Sequence, residues 1–183
     1  MRNVAVVNMR KIKAAVPLIE DRVKVKISFR KGSIGIKGAE LIEFLVDKII
    51  RAVDFGFDVR DALLLVNEDF VLEFIGIKEN TRRKNMKDIR SRIIGTGGKA
   101  RKTIEKLTGA VIVIKKNDIG VIVDSNHLDA VTQGIESLIR GAKHGNVFAY
   151  LEKQGALKGR IDPDDLGLRN GVDPMDEEID DDE

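Results

Sequence analysis

The sequence has no cysteine and no tryptophan, and only three prolines and two histidines. Without thiols there is no disulfide framework and no thiolate metal site, and His127 and His144 alone are too few for a zinc site or a histidine-based triad. No stretch approaches the roughly 18 apolar residues that a membrane span needs. Met1-Arg2-Asn3-Val4 does not open a secretory hydrophobic segment, so a cytoplasmic protein with no membrane partner is expected. Aromatic residues make up 4% of the chain, which argues against a sheet that stacks bases on Phe and Tyr. A phosphate-binding P-loop is missing as well. Gly97-Gly98-Lys99-Ala100 lacks the distant first glycine and the hydroxyl for magnesium, and a helix precedes it where a strand is required. The adjacent acids Asp164 and Asp165, and Asp176 and Glu177, lie in a charged tail and read as solvated charge rather than as an acid–base couple. No enzyme, cofactor or metal is expected.

What is present begins with charge. The net charge of +2 hides a segregation: residues 162–183 hold eleven acids against Arg169, a charge of −10, so the rest of the chain carries +12. Residues 78–102 hold ten basic residues against Glu79 and Asp88, a net of +8. At the centre of this basic run stands Ile93-Ile94-Gly95-Thr96-Gly97-Gly98-Lys99. The periodicity predicts a helix over 85–94, with Asn85 and Asp88 at capping-box spacing and Met86, Ile89 and Ile93 on one apolar face. A second helix over 99–107 turns Ala100, Ile104 and Leu107 inward and stops at Thr108-Gly109. A Gly-x-x-Gly turn between helices lets backbone N–H groups approach a phosphodiester with no Cβ in the way. The β-branched run 111–115 follows as a strand. This order resembles the KH RNA-binding domain, whose glycine loop clamps single-stranded nucleic acid. The expected RNA contacts are Gly95, Thr96, Gly97, Gly98, Lys99, Arg101 and Lys102, with Arg90 and Arg92 from the preceding helix. Ile94 and the strand residues Val111, Ile112 and Val113 are expected to form an aliphatic floor.

The first half of the chain carries a related plan. Residues 4–7 and 23–29 read as strands, the second with Val23, Val25, Ile27 and Phe29 inward, and 34–37 as a third. A helix over 39–55 presents Leu41, Ile42, Leu45, Ile49 and Val53, widened by Phe44, Val46 and Ile50, until Gly56 ends it. Asp58 caps a short helix over 59–66. Strand 70–78 opens the second half, Asn117-Asp118 is its hairpin turn, and a helix starts near Ser125. The repeat is carried by Ile27 to Lys31 with Ile34-Gly35-Ile36 against Ile112 to Lys116 with Ile119-Gly120-Val121. It continues in Ile49-Ile50-Arg51 ending at Gly56 against Leu138-Ile139-Arg140 ending at Gly145. His144 then falls in that helix's last turn, facing its dipole, and 147–151 is a short clasp helix. Between the first strand and Val23 there is a single helix containing Pro17 and no glycine, so the first copy lacks the clamp; Arg10, Lys11 and Lys13 are its candidate phosphate contacts. The fold class is α+β: two tandem KH-like (type I) domains, each a three-stranded antiparallel sheet with helices on one face. They span 1–57 and 70–154, with a linker helix in 58–69 and an acidic disordered tail in 155–183 that covers the basic groove.

Four stretches carry a closer likeness: Gly56-Phe57-Asp58-Val59-Arg60-Asp61-Ala62-Leu63, Arg92 to Lys99, Lys102 to Thr108, and Asn146-Val147-Phe148. Across roughly residues 20–152 the chain resembles the partner-of-Nob family of archaeal and eukaryotic KH-domain ribosome-assembly factors. Two departures stand out: Arg101 where many KH domains carry an aliphatic residue, and a first loop without the second GxxG of archaeal relatives. The resemblance implies a non-enzymatic factor in ribosomal RNA processing that binds the 3′ end region of small-subunit rRNA. It implies as partners a Nob-family endonuclease and the α subunit of initiation factor two. The alternatives are a KH adaptor of another RNA machine, such as RNA decay, and a protein–protein scaffold with a vestigial loop.

Overall fold

The β-branched runs pair into two three-stranded antiparallel sheets among the residues that the computed structural model describes, 2–30 and 32–159. The first unit runs β1 (Arg2–Ala5), α1 (Met9–Val23), β2 (Lys26–Arg30), β3 (Ser33–Lys37) and α2 (Glu40–Phe55), with strand order β1-β3-β2. A connection of α3 (Val59–Ala62) and a 3₁₀ turn (Leu63–Val66) leads on. The second unit runs β4 (Phe70–Gly76), α4 (Met86–Ile94), α5 (Lys99–Thr108), β5 (Val111–Lys115), β6 (Asp118–Asp124), α6 (Leu128–Arg140) and α7 (His144–Gly159), with order β4-β6-β5. Both sheets place the last strand in the middle. The second unit has two helices where the first has one. The acidic segment beyond Gly159 lies outside the described residues, while 155–159, expected in that tail, continue α7.

The repeat is tighter than the sequence motifs indicate. Glu20 Oε1 accepts the Ile27 N–H at 2.7 Å, and Glu105 Oε1 accepts the Ile112 N–H at 3.0 Å. Lys24 (φ 54°) and Gly109 (φ 69°) end the helices before those strands in the left-handed conformation. Gly35 and Gly120 pair with Ser28 and Val113, and Gly56 and Gly141 end α2 and α6. Every pair is 85 residues apart, which aligns Gly56 with Gly141 rather than Gly145 and makes α1 the counterpart of α5. The α4–glycine turn is therefore the piece the first unit lacks.

The two units share a core. Val111 and Val113, with Phe70, Leu72 and buried Ile122, turn away from the second unit's own helices and pack against the first unit. Phe55 and Phe57 press on Gly120 so closely that a Cβ there would lie 2.7 Å from the Phe57 ring and 2.8 Å from the Phe55 ring. At the equivalent places the first sheet shows Lys26, Ser28 and Lys37, and that polar face stays uncovered. Several expectations change. Val23 ends α1 rather than starting a strand, and the hairpin turn is Lys116-Asn117, with Lys116 at φ 54°. Leu41 and Phe44 are 71% and 44% exposed, because the α2 stripe is wider than the one sheet and one helix available to cover it, and Phe29 lies half-open under Lys13 on edge strand β2.

Candidate nucleic-acid interface

Asn85 sets the start of α4. Its Oδ1 accepts the Lys87 and Asp88 N–H groups while its Nδ2 donates to Asp88 Oδ2 at 2.6 Å, a reciprocal cap. The helix ends at Gly95 (φ 74°), and the 3₁₀ turn Thr96–Gly98 passes through Gly97 (φ 59°) and Gly98 (φ 77°) into α5. The glycines serve different needs. A Cβ on Gly95 would stand 2.7 Å from the Ala100 nitrogen, so Gly95 lets α4 and α5 close together; Gly97 and Gly98 face open space. The Gly95 N–H is held by the Ser91 carbonyl at 2.8 Å and the Gly98 N–H by the Gly95 carbonyl at 3.1 Å. The exposed Thr96 and Gly97 N–H groups meet no acceptor among the described residues. They stand at the positive end of a ten-residue helix, where an anion is favoured.

The cations around this bend divide into two sets. Lys99 and Lys102 are exposed and carry no ion pair among the described residues, while Arg101 lies 3.7 Å from Glu105 on its own helix. Arg90 and Arg92, expected to face phosphates, are turned to protein carbonyls instead. Arg90 Nη1 donates to the Lys116 carbonyl at 2.8 Å and to Asn117 Oδ1, fastening the β5–β6 hairpin. Arg92 Nη2 donates to the Gly141 and Ala142 carbonyls, closing the end of α6. Lys11 does the same in the first unit, its Nζ 2.8 and 2.7 Å from the Gly56 and Phe57 carbonyls, so this candidate phosphate contact is also internal. His144 does not finish α6 but opens α7, and its Nε2 bonds the Arg92 carbonyl at 2.8 Å. His127 lies in the 3₁₀ turn Ser125–His127 before α6.

The floor is narrower than expected. Ile94 is 38% exposed beside the turn, but Ile112 is 1% exposed inside the helix-covered core, and Val111 and Val113 face the first unit. What β5 offers outward is backbone, since it is an edge strand. With the Ile112 N–H taken by Glu105, strand alternation turns the Ile114 N–H and C=O to the same open edge. Glu105 was not singled out from the sequence; its signal is the parallel Glu20–Ile27 spacing of seven residues. Among the described residues no cluster of three His, Cys, Asp or Glu could hold a metal, and no helix is long and apolar enough to cross a membrane.

A family model described as the eukaryotic type KH-domain (KH-domain type I) matches residues 71–156, the unit that carries this turn. A KH domain-containing protein of Methanocaldococcus jannaschii is 31% identical over 143 residues, 74% of this chain and 63% of that protein. The pre-rRNA-processing protein pno1 of Emericella nidulans is 26% identical over 153 residues, 76% of this chain and 58% of that protein. Among solved structures, an a/eIF2alpha-aDim2p-rRNA complex from Pyrococcus horikoshii contains a chain that superposes with a TM-score of 0.74 at 27% identity, covering 85% of this chain and 93% of that one. The chain spans about three fifths of the length of these curated relatives. The matched domain, the relatives on either side of the archaeal–eukaryotic divide and the glycine turn agree that the second unit is a type I KH domain and that the chain is similar to the pno1 and Dim2p proteins.

Proposed function

We propose that this protein binds single-stranded RNA through the turn at Gly95–Gly98 and acts, without catalysing a reaction, as a ribosome-assembly factor on the 3′ end region of small-subunit rRNA. The observation that carries the reading is the pair of exposed amides at Thr96 and Gly97, which meet no acceptor among the described residues, on a bend where Gly97 and Gly98 leave the approach clear. Lys99, Lys102 and Arg101 supply positive charge, Ile94 an apolar step, and the Ile114 edge a donor and an acceptor for a base. Partners are proposed on the same footing. The Pyrococcus complex pairs its Dim2p with rRNA and an eIF2 α subunit, and both are assigned here as partners. A Nob-family endonuclease follows from the family alone.

The first unit is read as a KH fold shortened by one helix. At the turn into its α1 an internal anion is already in place: Asp54 accepts from Val7 at 3.0 and 3.1 Å and from Asn8 at 2.7 Å. That carboxylate repels a phosphate, so RNA clamping is assigned to the second unit. The test is binding of a short RNA from the small-subunit 3′ end to Gly97→Asp and Gly98→Asp. Each side chain falls in open space and the left-handed backbone costs about 1–2 kcal/mol, so the fold persists, as a thermal melt will show, while affinity drops at least tenfold. Unchanged affinity in both variants leaves the protein-scaffold reading standing instead.

A further inference from the structure

A cavity of about 620 Å³ opens beside the glycine turn on the side away from β5. Its walls come from α4, α5 and the start of α7, and of the α5 residues that line it Lys99 and Thr103 lie on the opposite face from Arg101 and Glu105, which point to the β5 edge, while Ala100 forms the base. A strand crossing Thr96 and Gly97 thus has the groove on one side and this cavity on the other. The size suits a nucleotide, and the lining is mixed in the way a base requires. Phe148 and His144 form an aromatic corner, their ring centroids 5.9 Å apart, while the Ser91 and Thr96 hydroxyls can donate and accept and that of Thr103, which donates to the Lys99 carbonyl, can accept. Lys99 stands at the mouth for a phosphate. Arg92 belongs to the same wall, and its Nε is buried with no hydrogen-bond partner among the described residues, although Nη2 of the same guanidinium is engaged. The one acid of the lining, Asp88, is held by Asn85.

We propose that this cavity holds one further nucleotide, adjoining those clamped in the groove, with its base against His144 and Phe148 and its phosphate by Lys99. The inference rests on the RNA-binding reading above and extends it to the far side of the turn.

Four-nucleotide RNAs tiled across the small-subunit rRNA 3′ end are titrated calorimetrically into the full chain, then repeated with one nucleotide added at either end. The two histidine signals, His127 and His144, are followed by NMR. One of the lengthened RNAs binds about tenfold tighter than its parent, as expected for one stacked base. That RNA moves the His144 signal and leaves His127 in place. Ser91→Leu fills the cavity mouth without adding charge; it removes the gain and the His144 shift but leaves four-nucleotide binding unchanged. If neither lengthened RNA binds tighter, or the gain persists in Ser91→Leu with His144 unmoved, the cavity is not a nucleotide site. If no four-nucleotide RNA binds at all, the parent reading fails and takes this inference with it.

Discussion

Replacing Arg92 by alanine takes the donor away from two carbonyls at the end of α6, those of Gly141 and Ala142. Hydrogen bonds to a charged group contribute about 1.5–3 kcal/mol each, and two acceptors sharing one half-buried nitrogen give a net loss of about 2–3 kcal/mol. A chain of this size loses roughly 2–4 °C of melting temperature per kcal/mol, so Tm falls by roughly 4–12 °C. The effect on RNA is different in kind. A cation that neutralises one phosphate of a single strand adds about 0.7 to the slope of log affinity against log salt. Arg92→Ala therefore keeps the native slope when measured well below its Tm, whereas Lys102→Ala, which removes an exposed cation with no ion pair among the described residues, flattens the slope by about 0.7. Fluorescence anisotropy at several salt concentrations, with a thermal melt of each variant, gives both numbers. A flattened slope with an unshifted Tm for Arg92→Ala would refute the brace and restore Arg92 to the phosphate contacts.

Gly120→Ala forces a methyl against the Phe55 and Phe57 rings and destabilises by about 1–3 kcal/mol; an unchanged urea midpoint would mean that the two units do not meet through these rings. Glu43 accepts the Gly38 N–H at 3.1 Å, which holds its carboxyl below the usual glutamate range. A carboxyl depressed in the folded state stabilises it above the unfolded pKa, and that contribution is lost as pH falls through the folded value. The native protein is accordingly more stable than Glu43→Gln at neutral pH and loses the advantage on acidification below the ordinary glutamate range, which urea melts across pH will show.

Local signals carried much of the second unit. The Asn85–Asp88 spacing, the stop at Gly109 and the glycine turn were legible because capping and left-handed backbone are decided within a few residues. The fate of the cations was not. A guanidinium at the end of α4 suits a phosphate or a helix C-terminus equally, and only the tertiary position of Gly141, 49 residues on, settles which it meets. Val111 and Val113 were misplaced for a similar reason. Alternation separates their face from that of Ile112, but nothing within the strand says that the other face is covered by Phe55 and Phe57. The repeat's register slipped by four residues in its last helix because Leu138-Ile139-Arg140 matches Ile49-Ile50-Arg51 by type, while the helix-ending glycines and the carbonyls braced by Lys11 and Arg92 fix the alignment at 85.

That alignment brings out how one scaffold can carry a binding site in one copy and not in the other. In both copies a carboxylate ties the helix to the edge strand and a cation closes the last helix, so these features follow the fold and do not depend on RNA. The copies part at the turn that feeds the helix. In the first unit the chain enters α1 directly, and Asp54 satisfies the amides of Val7 and Asn8 and sets a negative charge at the turn into the helix, where it opposes an external anion. In the second unit α4 and three glycines of positive φ intervene, and among the described residues no carboxylate reaches Thr96 or Gly97. An unmet pair of amides at a helix N-terminus is tolerable only where water or a ligand can reach it, which is why the turn lies exposed. On the proposed RNA reading, if the turn meets only phosphate, preference among bases would come from the Ile114 edge on one side of α5 and from the aromatic corner of His144 and Phe148 on the other.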